Sequence, residues 1–256
     1  MTLKLLPQTT AHPCGDAGLF VDILGEGRGF LFDLVHPIHL SNKLIRRVEF
    51  VSISHTHLDH FVNITYFIRN SITREKPITM IGPPNFLKNI QGLFNAFTWN
   101  ISEEYPLTLQ IIEYDEKTIK QANFKAKNKF RMEYLGRKKA KEFLIEDKTL
   151  TLKGCILDHG TPVLSYRLDE KKHINVRKDK LQSNGIESGP WLNDLKKAII
   201  DEMPDEKLIE TPKGPISLGK LKKELILITE GQSIGYLVDF NYTEENIEKI
   251  LKVFKG

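Results

Sequence analysis

The stretch VEFVSISHTHLDHFVNI, residues 48–64, places three histidines and an aspartate within six positions, directly after an apolar run that reads as a buried strand. Side chains that water can satisfy have no reason to crowd at the end of a buried strand. His55, His57, Asp59 and His60 therefore point to a fold that brings metal there. On an extended backbone side chains alternate, so His55 and His57 face the same way and can share one ion. Asp59 and His60 fall on the turn into the following helix, where they can reach toward a second. The chain has only two cysteines, Cys14 and Cys155, and neither lies in a CxxC, so neither a thiolate zinc site nor a disulfide framework is indicated. Imidazole and carboxylate without thiolate suit Zn, Mn or Fe in an open, catalytic site. The competing reading is a capped helix whose histidines turn to water.

The remainder of the chain describes the scaffold. Its 256 residues, 40% apolar and 27% charged, suit a soluble globular protein. Runs such as LILI at 225–228 are far too short to span a membrane, and Pro7 interrupts the opening MTLKLLPQTT before a signal-peptide core can form. A cytoplasmic location with no membrane association is expected. Apolar runs alternate with amphipathic segments, which points to α/β layers in a single domain over 1–256. GLFVDILGEGRGFLFDLV reads as two strands joined by a glycine-rich turn. Because GEGRG leads into a strand, it is not a phosphate-cradling loop. Residues 61–72 read as a helix, with Phe61, Ile64 and Ile68 at helical spacing, and Phe86, Ile90, Leu93, Phe94 and Phe97 form a second helical stripe facing the core. LTLQIIEY, TLTLKGCILDHG, ELILITE and SIGYLVDF read as strands, and YTEENIEKILKVFKG as a helix capped by Thr243. Between about 169 and 218 proline, glycine and charge replace periodicity, so an arm or lid is expected there.

Lysine and arginine exceed acids by 37 to 33, a small net charge of +4, but the excess is local. Residues 120–141 hold nine basic side chains against one acid, Glu133. RLDEKKHINVRKDK at 167–180 is also basic. Such runs are either solvated surface or contacts for a polyanion.

The motif His55-x-His57-x-Asp59-His60 at a strand-to-helix junction resembles that of the metallo-β-lactamase superfamily. Residues 157–197, LDHGTPVLSYRLDEKKHINVRKDKLQSNGIESGPWLNDLKK, are similar to the ribonuclease Z family, which trims the 3′ ends of tRNA precursors. The resemblance implies an αββα sandwich of the metallo-β-lactamase type with a protruding arm. It also implies two Zn2+ ions, with Mn2+ as an alternative. His55, His57 and His159 would hold one ion and Asp59 and His60 the other, with Asp239 bridging. Asp59 would further orient the attacking water or take its proton. Lys171, Lys172, Arg177 and Lys178 would contact the tRNA precursor together with the Gly189-Pro190 turn, and a homodimer is implied. Leu58 stands where the family usually has glycine, and Phe240 where it has threonine. The family also carries a further strand with another metal histidine beyond the bridging aspartate, so a chain lacking its C-terminal part is expected. Two other functions remain open at this point. One is hydrolysis of a small ester, lactone or phosphodiester, which would not need the basic arm. The other is RNA binding without catalysis.

Overall fold

The computed structural model describes residues 4–12 and 14–255. The glycine-rich segment forms the expected hairpin. β1 (Leu5–Thr9), β2 (Leu19–Ile23) and β3 (Arg28–Phe32) run antiparallel, and the turn between the last two uses positive φ at Gly25 and Gly27. The chain then switches direction. β4 (Val48–Ser52), β5 (Ile78–Gly82) and β6 (Thr108–Tyr114) add in parallel, with α1 (Asn42–Ile45), α2 (Leu58–Phe61), α3 (Ile64–Ser71) and α4 (Phe86–Asn95) in the crossovers. β7 (Thr118–Lys125) and β8 (Met132–Lys139) return antiparallel and complete an eight-stranded sheet in sequence order.

Alternation along these strands divides two cores. Leu31, Val51, Met80 and Leu109 face α3 and α4, which bury Ile64, Phe67, Phe86, Ile90 and Phe94 against them. Val21, Phe30, Phe32 and Ile81 face the opposite way, onto the second sheet described below. The helix expected over 61–72 is divided, and the cause is local. The His60 carbonyl accepts from Leu34 N at 2.8 Å and Asn63 N donates to Leu34 O at 3.0 Å, so these groups pair with the loop after β3 rather than with a helical ladder. The Asn63 amide also donates to Val35 O at 3.0 Å.

The second sheet begins with β9 (Ile145–Glu146), β10 (Leu150–Asp158) and β11 (Pro162–Glu170). A separate unit, Glu170–Gly231, follows. It contains β12 (His173–Val176), α5 (Lys178–Ser183), α6 (Trp191–Ile200), β13 (Leu208–Thr211), β14 (Gly214–Ser217), α7 (Leu218–Leu225) and β15 (Ile226–Thr229). β12 pairs with β15 and β13 with β14, around a core of Leu181, Trp191, Leu195, Leu221 and Leu225. The interval without periodicity is therefore folded, from elements as short as four residues that cannot display a period. Trp191 is buried and its indole donates to Glu187 O at 3.0 Å, so it anchors this unit and is not free to stack on a base.

β16 (Ser233–Tyr236) and α8 (Glu244–Phe254) close the main unit. The second sheet takes the order β16-β11-β10-β9 and packs Leu150, Leu152, Leu164, Tyr166 and Tyr236 onto the first. α8, capped by Thr243 Oγ1 accepting from Asn246 N at 3.2 Å, lies against β10. The layers are thus helix, sheet, sheet, helix, within a mixed α/β chain built on one large sheet, as expected. Among the described residues no helix is long and apolar enough to cross a membrane.

Candidate metal centre

In an open α/β sheet the C-terminal ends of neighbouring parallel strands leave a crevice where polar groups collect. Here Asp33 directly follows β3, and β4 leads into Ser54 and His55. Asp33 is fully buried and adopts φ +57, a conformation that aspartate tolerates better than most residues. Its carboxylate accepts four hydrogen bonds: from Ser54 N and Ser54 Oγ at 2.7 Å each, from His60 Nδ1 at 2.7 Å and from the Tyr236 hydroxyl at 2.8 Å. Ser54 Oγ, having donated to Asp33, accepts from His55 Nδ1 at 3.1 Å. The backbone behind them is clamped across the two sheets, where Leu164 N donates to Ser54 O at 2.8 Å and the Tyr166 hydroxyl to Ile53 O at 2.6 Å.

These bonds fix both imidazoles with Nε2 forward. His55 Nε2 is buried without a hydrogen-bond partner, an arrangement that is costly unless something else meets the lone pair. His60 Nε2 lies 2.6 Å from Asp239 Oδ2 and 3.4 Å from Asp59 Oδ2. Burial, reinforced by the charge of His60 and then of His57, lowers the His55 pKa to about 4, so its ring is neutral and fit to donate a lone pair. For His60 burial acts downward, but the Asp33 hydrogen bond and charge outweigh it, with Asp239 and Asp59 adding to them, and the pKa stands at about 9. Burial, helped by the Asp33 charge, raises the Tyr236 pKa, so its hydroxyl stays a donor.

Two groups of donors result. His55, His57 and His159 each offer an atom within 4.8 Å of the others, and so do His55, His60 and Asp239. An imidazole Nε2 has a single lone pair, so His55 can serve one ion. Asp239 Oδ2 lies 3.9 Å from His55 Nε2, which belongs to both groups, and 2.6 Å from His60 Nε2. An all-nitrogen-and-oxygen donor set around an orphaned buried imidazole fits a divalent metal.

The structure brings His55, His57, His60, His159 and Asp239 together, with Asp59 at the margin. β10 and β11 meet at the turn carrying His159, whose N–H donates to Thr161 O at 3.1 Å. Asp239 lies three residues beyond the end of β16, at φ +40, and does not cap α8, because Thr243 does. Asn246 of α8 ties these two loops together. Its side chain accepts from Asp158 N at 2.9 Å and donates to Asp158 O at 2.9 Å and Asn241 O at 2.8 Å. His36 and His39 are exposed, and His173 pairs with Glu170 at 2.7 Å, so none of them joins a donor group. Asp33, Ser54, Tyr236 and Asn246 were not readable as site residues. The one available signal was an acid ending the apolar strand GFLFD.

Lys171, Lys172, Arg177, Lys178, Gly189 and Pro190 belong to the Glu170–Gly231 unit or its first turns. Lys172 pairs with Glu230 at 2.8 Å and Arg177 with Asp179 at 3.7 Å. Gly189 and Lys178 line a cleft of about 1100 Å³ beside α5 and α6, and Pro190 opens α6.

No family model matches the chain. It is similar to ribonuclease Z of Deinococcus radiodurans, 26% identical over 215 residues that cover 83% of this chain and 62% of that protein. Ribonuclease BN of Proteus mirabilis is 27% identical over 68% of this chain and 49% of its own length. Ribonuclease Z of Clostridium kluyveri is 23% identical over 89% and 67% respectively. Among solved structures, the short form of human tRNase Z aligns at TM-score 0.41 and 18% identity, covering 65% of this chain and 64% of that one. These relatives bear out the resemblance to ribonuclease Z read from the sequence. The chain spans 62% of the length of the Deinococcus protein.

Proposed function

We propose that this chain is the metal-binding part of an endoribonuclease that removes the 3′ trailer from tRNA precursors by phosphodiester hydrolysis. The observation that carries the reading is the buried His55 Nε2, without a hydrogen-bond partner, grouped with His57, His159 and Asp239 in a chain whose relatives are named ribonuclease Z. His55, His57 and His159 would hold one ion, His60 and Asp59 the other, and Asp239 would bridge. Zn2+ is the expected metal, with Mn2+ as the alternative. When bound, the ions supply an activated water and Lewis-acid stabilisation of charge on the phosphate oxygens.

The protein's own groups supply the order. Asp33 and Ser54 hold His60 and His55 with their Nε2 atoms forward and fix their tautomers. Asp59, half exposed and 3.4 Å from His60 Nε2, would orient the water or take its proton. His60 must release its Nε2 proton to bind metal, while keeping its Nδ1 proton on Asp33. Lys171, Lys172, Arg177, Lys178 and the Gly189-Pro190 turn would contact the precursor through its phosphates. Cytoplasmic location and a homodimer complete the reading. The relatives give no support to small-ester hydrolysis or to RNA binding without catalysis.

The test is to supply Zn2+ or Mn2+ and a 3′-extended tRNA precursor, and to map the product ends beside His57→Ala. One cut just beyond the acceptor stem, absent in the variant, is expected. An uncut precursor under both metals would sink the reading for this chain.

A further inference from the structure

A groove runs along the exposed side of α4, beginning at a residue that lies between two of the metal-centre histidines in the chain. Thr56, between His55 and His57, accepts from the Asn89 amide at 2.7 Å. Thr56, Asn89, Lys88 and Gly92 line a recess of about 490 Å³. Lys88 and Gly92 also line the adjoining cleft of about 650 Å³, which runs across to Lys120 and Tyr134 on β7 and β8. Both recesses belong to the main unit and share a floor.

Gly92 is the informative residue on that floor. It sits inside α4, where glycine is the least favourable residue after proline. A helical glycine is ordinarily explained by close packing, yet a Cβ added here would meet nothing within 4 Å. Neither packing nor a positive φ requires it. What a side chain at this position would occupy is the groove itself.

The far wall identifies the occupant. The ring of Tyr134 is 55% exposed on β8, which pairs only with β7 and so lies at the edge of the sheet. Lys88 and Lys120 stand on either side of the cleft, and Asn85 and Asn95 offer amides that can reach base edges. The single carboxylate in the wall, Glu113, is buried and already engaged by Lys120 Nζ at 2.6 Å and Leu87 N at 3.1 Å. An open aromatic face beside the Lys88 cation and two amides accepts single-stranded nucleic acid, with a base on the ring and a phosphate on Lys88.

We propose that the groove from Thr56 past Gly92 to Tyr134 binds a single-stranded stretch of the RNA substrate. This rests on the endoribonuclease reading above and adds a path for the strand that is independent of the Glu170–Gly231 unit.

The experiment measures binding of a short fluorescein-labelled oligouridylate by anisotropy, using the full chain, Gly92→Leu, Tyr134→Ala and Tyr134→Trp. Thermal melts and precursor cleavage by the unaltered chain are run alongside. Gly92→Leu and Tyr134→Ala should each weaken binding about fivefold or more. Tyr134→Trp, which keeps a stacking face, should bind as the unaltered chain does. Gly92→Leu should melt no lower than the unaltered chain, because leucine is a better helix former and its Cβ enters open space. Binding that is absent, or equal in all four proteins, overturns the groove. If the precursor is nevertheless cut, the groove fails and the endonuclease stands. If binding depends on Gly92 and Tyr134 while no precursor is cut, the groove stands and the endonuclease reading fails.

Discussion

The inner and outer halves of the metal centre are built on different terms. His55 and His60 are 1% and 3% exposed, and their Nδ1 atoms are held by Ser54 and by an aspartate that takes hydrogen bonds from three residues. His57, Asp59 and Asp239 are open to solvent, and Asp59 and Asp239 meet the inner half mainly through His60. Hydrogen bonds within the protein hold the inner half in place. The outer half has room to adjust its distance to the metal and to substrate. Precision is thus placed where water is excluded and hydrogen bonds are strongest, and adaptability where the phosphate must enter.

Asp33→Ala tests the inner half most severely. It would leave His60 Nδ1, Ser54 N and Ser54 Oγ without their acceptor in a buried space, and the Tyr236 hydroxyl with only Ala17 O. We expect a loss of about 3 kcal/mol or more in urea unfolding, and zinc affinity reduced about 10- to 100-fold in equilibrium dialysis. A variant as stable as the parent would erase the distinction between the halves. Asn246→Ala addresses how the outer loops are held. Removing three buried hydrogen bonds should cost about 1–3 kcal/mol in the same assay, and should weaken the ion held by His159 more than the one held by His60.

A pH series on the metal-free chain sharpens the comparison further. His55, at about 4 folded against 6.5 unperturbed, binds its proton more tightly unfolded, so it adds stability as pH rises from about 4 toward 6.5. His60, at about 9 folded, binds its proton more tightly when folded. It adds stability below 6.5, and this is lost as pH climbs toward 9. Stability of the metal-free chain should therefore peak near 6.5, and zinc binding at that pH should release protons, measurable by calorimetry in buffers of different ionisation heat. A flat profile would mean that the buried pair is not held as described. Asp59→Asn should have the smallest structural effect, within about 0.5 kcal/mol in urea, because the group is exposed. It should still weaken the second ion, so a large stability loss would place Asp59 with the inner half.

What could be read in the sequence follows physical range. The donors at 55, 57, 59 and 60 lie close together in the chain, and strand alternation alone gives them a common face. His159 and Asp239 came only through resemblance, because nothing local distinguishes a strand-end histidine that meets a metal from one that does not. Asp33, Tyr236 and Asn246 stayed hidden for a different reason. Their partners lie 21, 203 and 88 positions away in the chain, and a buried acceptor chosen across a sheet leaves no periodic trace. The break between α2 and α3 was hidden likewise, since it depends on backbone groups of Leu34.

The long reach of the Tyr236 and Asn246 contacts also sets a schedule. Synthesis delivers His55 and His60 well before Tyr236, Asp239 and Asn246, which arrive within a few residues of one another. Until they do, the Asp33 carboxylate lacks one of its donors and the donor groups lack Asp239, so a nascent chain that stops short of them carries a half-made centre.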